Sequence, residues 1–271
     1  MKRKFPSGLS AEKEKQLIFK QRISTDVWMF GNYSVNLQPE TSNTMSHDIS
    51  ESVPQGSIGA QDAENSRIET VANELRRRCE LYEAQCRDSQ QDVSHLEIEQ
   101  KVAESFAKEH GLWLPIENVF DLGVPGPSGN ENDTYFSDDC VYKVNNLLNC
   151  GSILRLLDKV KIHNEIFPDT FYQLHAFTGF DGRTVMPVLK QDFVKDAEPT
   201  PQIAIDTYMA ALGFDRLEQA GRYANDTYTV WDLVPRNVLR DHDGDVFVVD
   251  AEIKRNTNNS FTCYQCKSGK P

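Results

Sequence analysis

The sequence contains no long apolar run and no apolar segment behind its basic start. No stretch of the 271 residues approaches the roughly 18 apolar residues that a membrane-spanning helix needs. The opening residues, MKRKFPSGLSAEKEKQ, are not followed by the apolar core of a secretory signal peptide. These absences predict a cytoplasmic protein without a membrane partner.

Positive charge is also scarce. The chain has 29 Lys and Arg residues against 41 Asp and Glu residues, which gives a net charge of -12. Bulk electrostatic attraction does not draw such a chain to nucleic acid or to an anionic membrane. The composition therefore argues against both as partners, and it gives no indication of the oligomeric state.

The six cysteines lack the second pair that a four-ligand zinc site requires. Cys263 and Cys266 have the spacing of a zinc or redox motif, but no other C-x-x-C accompanies them. Without an export signal, free thiols are expected. Whether Cys263 and Cys266 bind a metal stays open at this point.

The chain divides into segments of different composition. Residues 25–64 contain no Lys or Arg, and from Gln38 onward they are mostly Ser, Asn, Gln, Gly and acidic residues. Such a segment buries too little apolar surface to offset its conformational entropy. We therefore expect a largely disordered tail at 1–64. A helical segment of two amphipathic helices at 65–111, packed on the core, then follows.

The region 112–256 predicts an α+β domain, with a C-terminal tail at 257–271. TYFSDDCVYKVNNL predicts a hairpin, as does the stretch from FYQLHAFTG to TVMPVLKQDFV. SILRLLDKVKIHN and TPQIAIDTYMAALGF each predict a helix, the second with Thr200 as its cap and Pro201 at its first position. A further hairpin around Asp243-Gly244 closes the domain.

Three polar residues surround this last hairpin. Asn237 leads into one strand, and the returning strand ends at Asp250, so the hairpin can bring the two side chains together. An amide oxygen and a carboxylate suit Mg²⁺ with phosphate oxygens. Asp232, five residues before Asn237, is placed to accept a hydroxyl proton. Taken alone, the segment is explained equally well by structural roles, in which Asp232 starts a turn, Asn237 makes a loop contact and Asp250 ends a strand.

A glycine-rich loop and a lysine stand upstream. Gly123, Gly126 and Gly129 are three apart, and glycine lets backbone N–H groups approach phosphate closely. Ser128 adds a hydroxyl donor. Lys143 follows in an apolar strand, where a lysine either reaches the surface or holds a phosphate.

The order of these features is that of a protein kinase, and the chain resembles kinase-like phosphotransferases across about 115–255. The runs D-L-x-P-x-N-V-L and D-G-x-x-x-V-V-D are similar to those of aminoglycoside phosphotransferases. The fuller set includes V-Y-K-V-N, H-N-x-x-F-P-x-T-x-Y and Q-x-F-V. It resembles the kinase-like domain in polyvalent proteins of phages and conjugative elements.

The resemblance implies a minimal two-lobed kinase-like fold with a truncated C-terminal lobe, using ATP and Mg²⁺. Lys143 would pair with the α- and β-phosphates, and Asp232 would be the catalytic base. Asn237 and Asp250 would hold Mg²⁺.

The resemblance also implies how the nucleotide is held. The loop from Gly123 to Gly129 would cover the phosphates, and Gln191-Asp192-Phe193 would meet adenine through backbone hydrogen bonds. The acidic partner of Lys143 is open among three carboxylates, Asp158, Glu165 and Glu131. The distance to the Phe167-Pro168 turn favours Asp158.

The chain departs from protein kinases in ways that leave the acceptor open. Val230-Trp231 replaces the His-Arg pair, Asp250-Ala251-Glu252 replaces D-F-G, and only 21 residues follow Asp250. Glu252 either adds a metal-facing carboxylate or forms a structural ion pair. We expect a kinase that phosphorylates Ser, Thr or Tyr hydroxyls of proteins. The alternatives are a small-molecule kinase and a pseudokinase that binds nucleotide or protein.

Overall fold

The computed structural model describes residues 55–90, 92–127, 129–180 and 184–256. Within these ranges, four α-helices and twelve short strands form a mixed structure with three antiparallel sheets. The mixed helix-and-sheet class predicted from the sequence is confirmed. The predictions for residues 1–54, for Ser128, for the turn of the second predicted hairpin (residues 181–183) and for the tail with Cys263 and Cys266 lie outside the described residues.

Two helices open the described chain, α1 (Gln55–Asp88) and α2 (His95–Glu109). Ile68, Val71 and Leu75 recur at helical spacing along α1, and all three are buried. Helix α2 begins at a capping box, in which Ser94 and Glu97 satisfy each other's backbone N–H groups. It ends before Gly111, whose φ of 68° provides the left-handed backbone that glycine adopts without strain.

Helix α1 begins at Gln55, inside the segment that was expected to be disordered up to residue 64. Tertiary contacts account for the difference. Gln61 is buried, and the Glu64 carboxylate accepts the backbone N–H of Leu174 at 2.9 Å. A polar sequence is thus ordered by partners more than a hundred residues away.

The first sheet has five strands in the order β1-β2-β3-β5-β4. Its strands are β1 (Val124–Pro125), β2 (Asn132–Phe136), β3 (Cys140–Asn145), β4 (Gln173–Phe180) and β5 (Thr184–Asp192). Both predicted hairpins are present, as β2–β3 and β4–β5. Helix α3 (Ile153–Ile166) lies between them in sequence, and it joins α1, α2 and this sheet in one hydrophobic core.

Two smaller sheets follow, with strand orders β11-β10-β6 and β12-β9-β8-β7. The strands are β6 (Glu198–Pro199), β7 (Asp215–Arg216), β8 (Tyr223–Ala224), β9 (Tyr228–Trp231), β10 (Val238–Arg240), β11 (Val246–Val248) and β12 (Glu252–Arg255). With α4 (Gln202–Ala211) they enclose a second core, in which Ile205, Tyr223 and Val230 are fully buried.

The predicted cap of α4 is wrong. Helix α4 begins at Gln202, Pro201 occupies the cap position, and no side chain caps the first turn. The backbone N–H of Thr200 donates to the carbonyl of Val238 at 2.8 Å, and its side chain is fully buried. Because Thr200 is held beside strand β10, its hydroxyl does not reach the first turn of the helix.

Within the described ranges, no helix has both the length and the apolar composition needed to cross a bilayer.

Candidate functional site

Lys143 lies on β3 and is almost fully buried. Its Nζ donates to the Tyr172 hydroxyl and to the Val249 carbonyl, both at 2.7 Å. Burial lowers the pKa of Lys143, because the charged form loses its hydration, and the nearby Asp250 carboxylate opposes this shift. The lysine therefore connects the first sheet to the segment that carries Asp250.

Tyr172 completes a closed arrangement around this ammonium group. Its hydroxyl donates to the same Val249 carbonyl at 2.7 Å. Burial raises the pKa of the Tyr172 phenol well above its usual range, so the phenol keeps its proton and remains a donor. Lysine, phenol and carbonyl thus contact one another pairwise.

None of the three expected carboxylates forms an ion pair with Lys143. Asp158 is exposed and pairs with Arg76 at 2.8 Å. Glu165 accepts a hydrogen bond from Tyr228 at 2.9 Å. Asp158 and Glu165 point away because the face of α3 toward the first core is apolar, with Leu156, Leu157 and Val160 buried.

Glu131, the third candidate, belongs to a different ion cluster. Lys159 of α3 lies between two carboxylates, with its Nζ 2.9 Å from Glu252 and 3.6 Å from Glu131. Burial alone would lower the pKa of Lys159, but the two carboxylates more than offset that effect and raise it. Of the two roles considered for Glu252, the structural ion pair is the one observed. The cluster joins the end of the glycine-rich loop, helix α3 and strand β12.

Asp232 follows β9 with an uncommon backbone conformation. Its φ of 62° lies in the left-handed region, which non-glycine residues adopt rarely and mostly where the surroundings enforce it. One carboxylate oxygen accepts from Arg236 at 2.7 Å and the other from the Asn237 side chain at 2.9 Å. The carboxylate is thus held in a fixed direction while its side chain stays 42% exposed.

Asn237 and Asp250 are brought together by the β10–β11 hairpin. The Asn237 carbonyl accepts the backbone N–H groups of Val249 and Asp250 at 3.0 and 3.3 Å. The Asn237 side-chain nitrogen is used on Asp232, so its Oδ1 atom is left as an acceptor. No hydrogen bond to Oδ1 or to the Asp250 carboxylate occurs within the described residues. Such oxygen donors fit Mg²⁺.

The glycine-rich loop is shaped by close packing against β2. A Cβ atom at Gly123 would overlap the carbonyl oxygen of Phe136, and one at Gly126 would overlap the Phe136 ring. A Cβ atom at Gly129 would make only an ordinary contact, 3.9 Å from the carbonyl oxygen of Asn132. Gly123 and Gly126 therefore have a packing reason to be glycine, independent of any phosphate.

The expected hinge lies at the end of β5. Gln191 is buried and its side chain donates to the Thr170 carbonyl at 2.6 Å. The backbone N–H of Phe193 donates to the Asp139 carbonyl at 3.0 Å, while its ring is 42% exposed and meets Phe136 edge-on. An adenine contact through the Phe193 N–H has to replace the bond to Asp139.

Three side chains that contact the candidate site residues or Glu252 were not assigned a role from the sequence. Arg236 stands four residues after Asp232, and this spacing was a usable signal. Tyr172 is the last residue of the H-N-x-x-F-P-x-T-x-Y motif, but nothing in the motif shows its contact with Lys143, 29 positions away. Lys159 contacts Glu252 across 93 positions, and no local pattern in the sequence connects those two residues.

A buried lysine on an antiparallel sheet, facing an Asp–Asn–Asp set around a hairpin, is the arrangement of a kinase-type phosphotransferase. A family model described as Serine/Threonine/Tyrosine Kinase found in polyvalent proteins matches residues 97–257, more than half of the chain. The chain belongs to this family, as its motifs indicated. Comparison with curated proteins gives no match.

Proposed function

We propose that the chain is an ATP- and Mg²⁺-dependent kinase that transfers the γ-phosphate to Ser, Thr or Tyr hydroxyls of a protein. One observation carries the proposal, a continuous path of contacts through the four motif positions. Lys143 donates to the carbonyl of Val249, the neighbour of Asp250. The Asp250 N–H donates to Asn237, and Asn237 donates to Asp232.

Asp232 is the proposed base. As the bond from the γ-phosphorus to its bridging oxygen breaks and the bond to the acceptor oxygen forms, the hydroxyl proton passes to Asp232. Arg236 and Asn237 hold both carboxylate oxygens, so the base is oriented before the acceptor arrives. This favours an attack from one direction.

Lys143 and the two oxygen ligands would both help to neutralise the negative charge of the phosphates. Asn237 and Asp250 would hold Mg²⁺, which supplies positive charge for the phosphate oxygens. Lys143 contributes the protein's own positive charge. The two hydrophobic cores support a two-lobed arrangement, with Lys143 on the sheet of the first core and Asp232 beside the second.

A transfer assay with Asp232→Asn tests the proposal. The chain is incubated with γ-labelled ATP, Mg²⁺ and peptides that contain Ser, Thr or Tyr. We expect the substitution to slow transfer at least about 100-fold, because a positioned base contributes that much or more. ATP binding, followed as a thermal shift, is expected to persist.

Asp226→Asn is the matched control. The substitution makes the same chemical change at an exposed residue in the loop before β9. Equal transfer rates for Asp232→Asn and the wild type would contradict the role of Asp232. Nucleotide binding without transfer to any acceptor would instead favour a pseudokinase.

One observation favours a small-molecule acceptor. Strand β12 begins at Glu252, directly after Ala251, and pairs back onto β9. No long segment therefore separates Asp250 from the sheet, where a protein kinase has its activation loop. Transfer to an aminoglycoside-like polyol, with no label on any peptide, would establish this second function.

A further inference from the structure

Lys143 is held by a neutral group where a carboxylate was expected. Its hydrogen-bond partners are the Tyr172 hydroxyl and the Val249 carbonyl, and neither carries a charge. A carboxylate partner would neutralise the ammonium group. A phenol that keeps its proton fixes the position of the ammonium group and leaves its positive charge available to an anion.

Tyr172 is itself fixed by a buried asparagine of α3. The backbone N–H of Tyr172 donates to Asn164 Oδ1 at 2.7 Å, and Asn164 Nδ2 donates to the Tyr172 carbonyl at 2.8 Å. Asn164 is fully buried. Two opposed hydrogen bonds therefore set the position of the Tyr172 backbone. Because Tyr172 is also buried, its ring has little freedom to turn away from Lys143.

Helix α1 also contacts this segment and Asn164. Asn65 Oδ1 accepts from Asn164 at 2.9 Å. Glu64 accepts the N–H of Leu174 at 2.9 Å, and Arg67 donates to the Leu174 carbonyl. Helix α1 lies outside the residues that match the kinase family. It nevertheless contacts the backbone two residues from Tyr172.

We propose that Tyr172 positions Lys143 for the phosphates of ATP, and that helix α1 holds Tyr172 in place through Asn164 and Leu174. The inference rests on the proposed function, which supplies the phosphates. It makes helix α1 a support of the nucleotide site that acts through Tyr172 and not through direct contact with the nucleotide. It also predicts that loss of the Tyr172 hydroxyl weakens binding of ATP, which carries the phosphates, but not binding of adenosine, which lacks them.

A double-mutant cycle tests the positioning role. ATP and adenosine affinities are measured by calorimetry for the wild type, Tyr172→Phe, Lys143→Met and the double variant. We expect Tyr172→Phe to weaken ATP binding about tenfold, the loss expected for one hydrogen bond to a charged group. Adenosine affinity is expected to stay within about twofold, because only the phosphates meet Lys143. In the Lys143→Met background, Tyr172→Phe is expected to cause no further loss.

Tyr228→Phe is the matched control. It removes a hydroxyl that donates to Glu165 at 2.9 Å, away from Lys143. It is expected to leave the affinities for both ligands unchanged. Asn65→Ala tests the support from α1 and is expected to weaken ATP binding about threefold, with adenosine again unaffected. Asn65→Ala also carries the test if Tyr172→Phe does not fold.

The outcomes separate the two proposals. Unaltered ATP affinity in Tyr172→Phe, or equal losses for ATP and adenosine, would overturn the positioning role while the kinase proposal stands. Additive losses in the double variant would do the same. No ATP binding by the wild-type chain would overturn the proposed function and this inference with it.

Discussion

At the scale of single residues, the carboxylate of Asp250 stands out because no hydrogen bond to it occurs within the described residues, although Lys143 lies nearby. A carboxylate in that position is available to a cation. We expect Asp250→Asn to abolish the part of the ATP-induced thermal shift that depends on Mg²⁺. In the wild type, ligand at a hundredfold excess over its dissociation constant stabilises the fold by about 2.7 kcal/mol.

The exposed Asp243, on the turn of the same hairpin, provides the control as Asp243→Asn. It is expected to keep the Mg²⁺-dependent shift. Retention of that shift in Asp250→Asn would remove Asp250 from the metal site.

The buried His163 is expected to make the free energy of unfolding depend on pH. Burial, followed by the charge of Lys143, lowers the pKa of His163 from 6.5 to about 3. Between these pH values the unfolded chain binds a proton that the folded chain does not, so the free energy of unfolding falls as the pH drops. For one such group the loss from pH 7 to pH 5 is about 2 kcal/mol.

Urea unfolding of His163→Gln at both pH values checks this prediction. We expect the variant to lose that part of the pH dependence, while its stability at pH 7 is judged separately. His242→Gln, at a histidine exposed on the β10–β11 turn, is expected to keep the wild-type pH dependence. The same pH dependence in His163→Gln and the wild type would contradict the assignment.

Residues close in sequence were predictable, and residues joined by tertiary contact were not. Asn237 and Asp250 could be paired because an Asp-Gly turn between two apolar segments indicates a hairpin. The partner of Lys143 could not be found this way, because a buried phenol replaces the expected carboxylate. Spacing along α3 favoured Asp158, but spacing does not reveal which face of a helix meets the core.

At the scale of elements, helix α3 connects the glycine-rich loop to β12 through Lys159. Removing the central cation would leave Glu131 and Glu252 close together without a counter-charge. We expect Lys159→Met to lower the free energy of unfolding by about 1 to 3 kcal/mol, less than for a fully buried ion pair, because Lys159 and Glu252 are only partly buried. Urea denaturation measures the change.

Arg155→Met is the matched control on the same helix, because Arg155 is exposed. It is expected to change the free energy of unfolding by no more than about 0.5 kcal/mol. Similar effects for the two variants would mean that the cluster contributes nothing beyond an exposed ion pair.

The start of α1 shows where composition misleads. Residues 55–64 are polar and glycine-containing, which is typical of chain that does not fold alone. Their helix is stabilised by contacts of Gln61 and Glu64 with the rest of the fold, and most helical stability in proteins has this tertiary origin. The helices from 153 onward were predictable because their own apolar residues recur at helical spacing.

At the scale of the whole molecule, the described residues from 55 to 256 form one compact unit. We expect a variant comprising 55–271 to melt within about 2 °C of the full chain, since it keeps every buried contact described. A variant comprising 95–271 lacks α1 and exposes its side of the first core. It is expected to show no cooperative melting transition by circular dichroism.

Loss of the transition in the 55–271 variant would show that the preceding residues contribute to the fold. A cooperative transition in the 95–271 variant would show that the family-matched part folds without α1.

Helix α1 also has a consequence for how the protein is made. It leaves the ribosome before the segments that cover its apolar stripe, and Phe177 follows Leu75 by about 100 residues, which is several seconds of synthesis at typical rates. Val249, which completes the contacts around Lys143, is translated later still. A nascent chain therefore cannot assemble the contacts around Lys143 until nearly all of the described sequence has emerged.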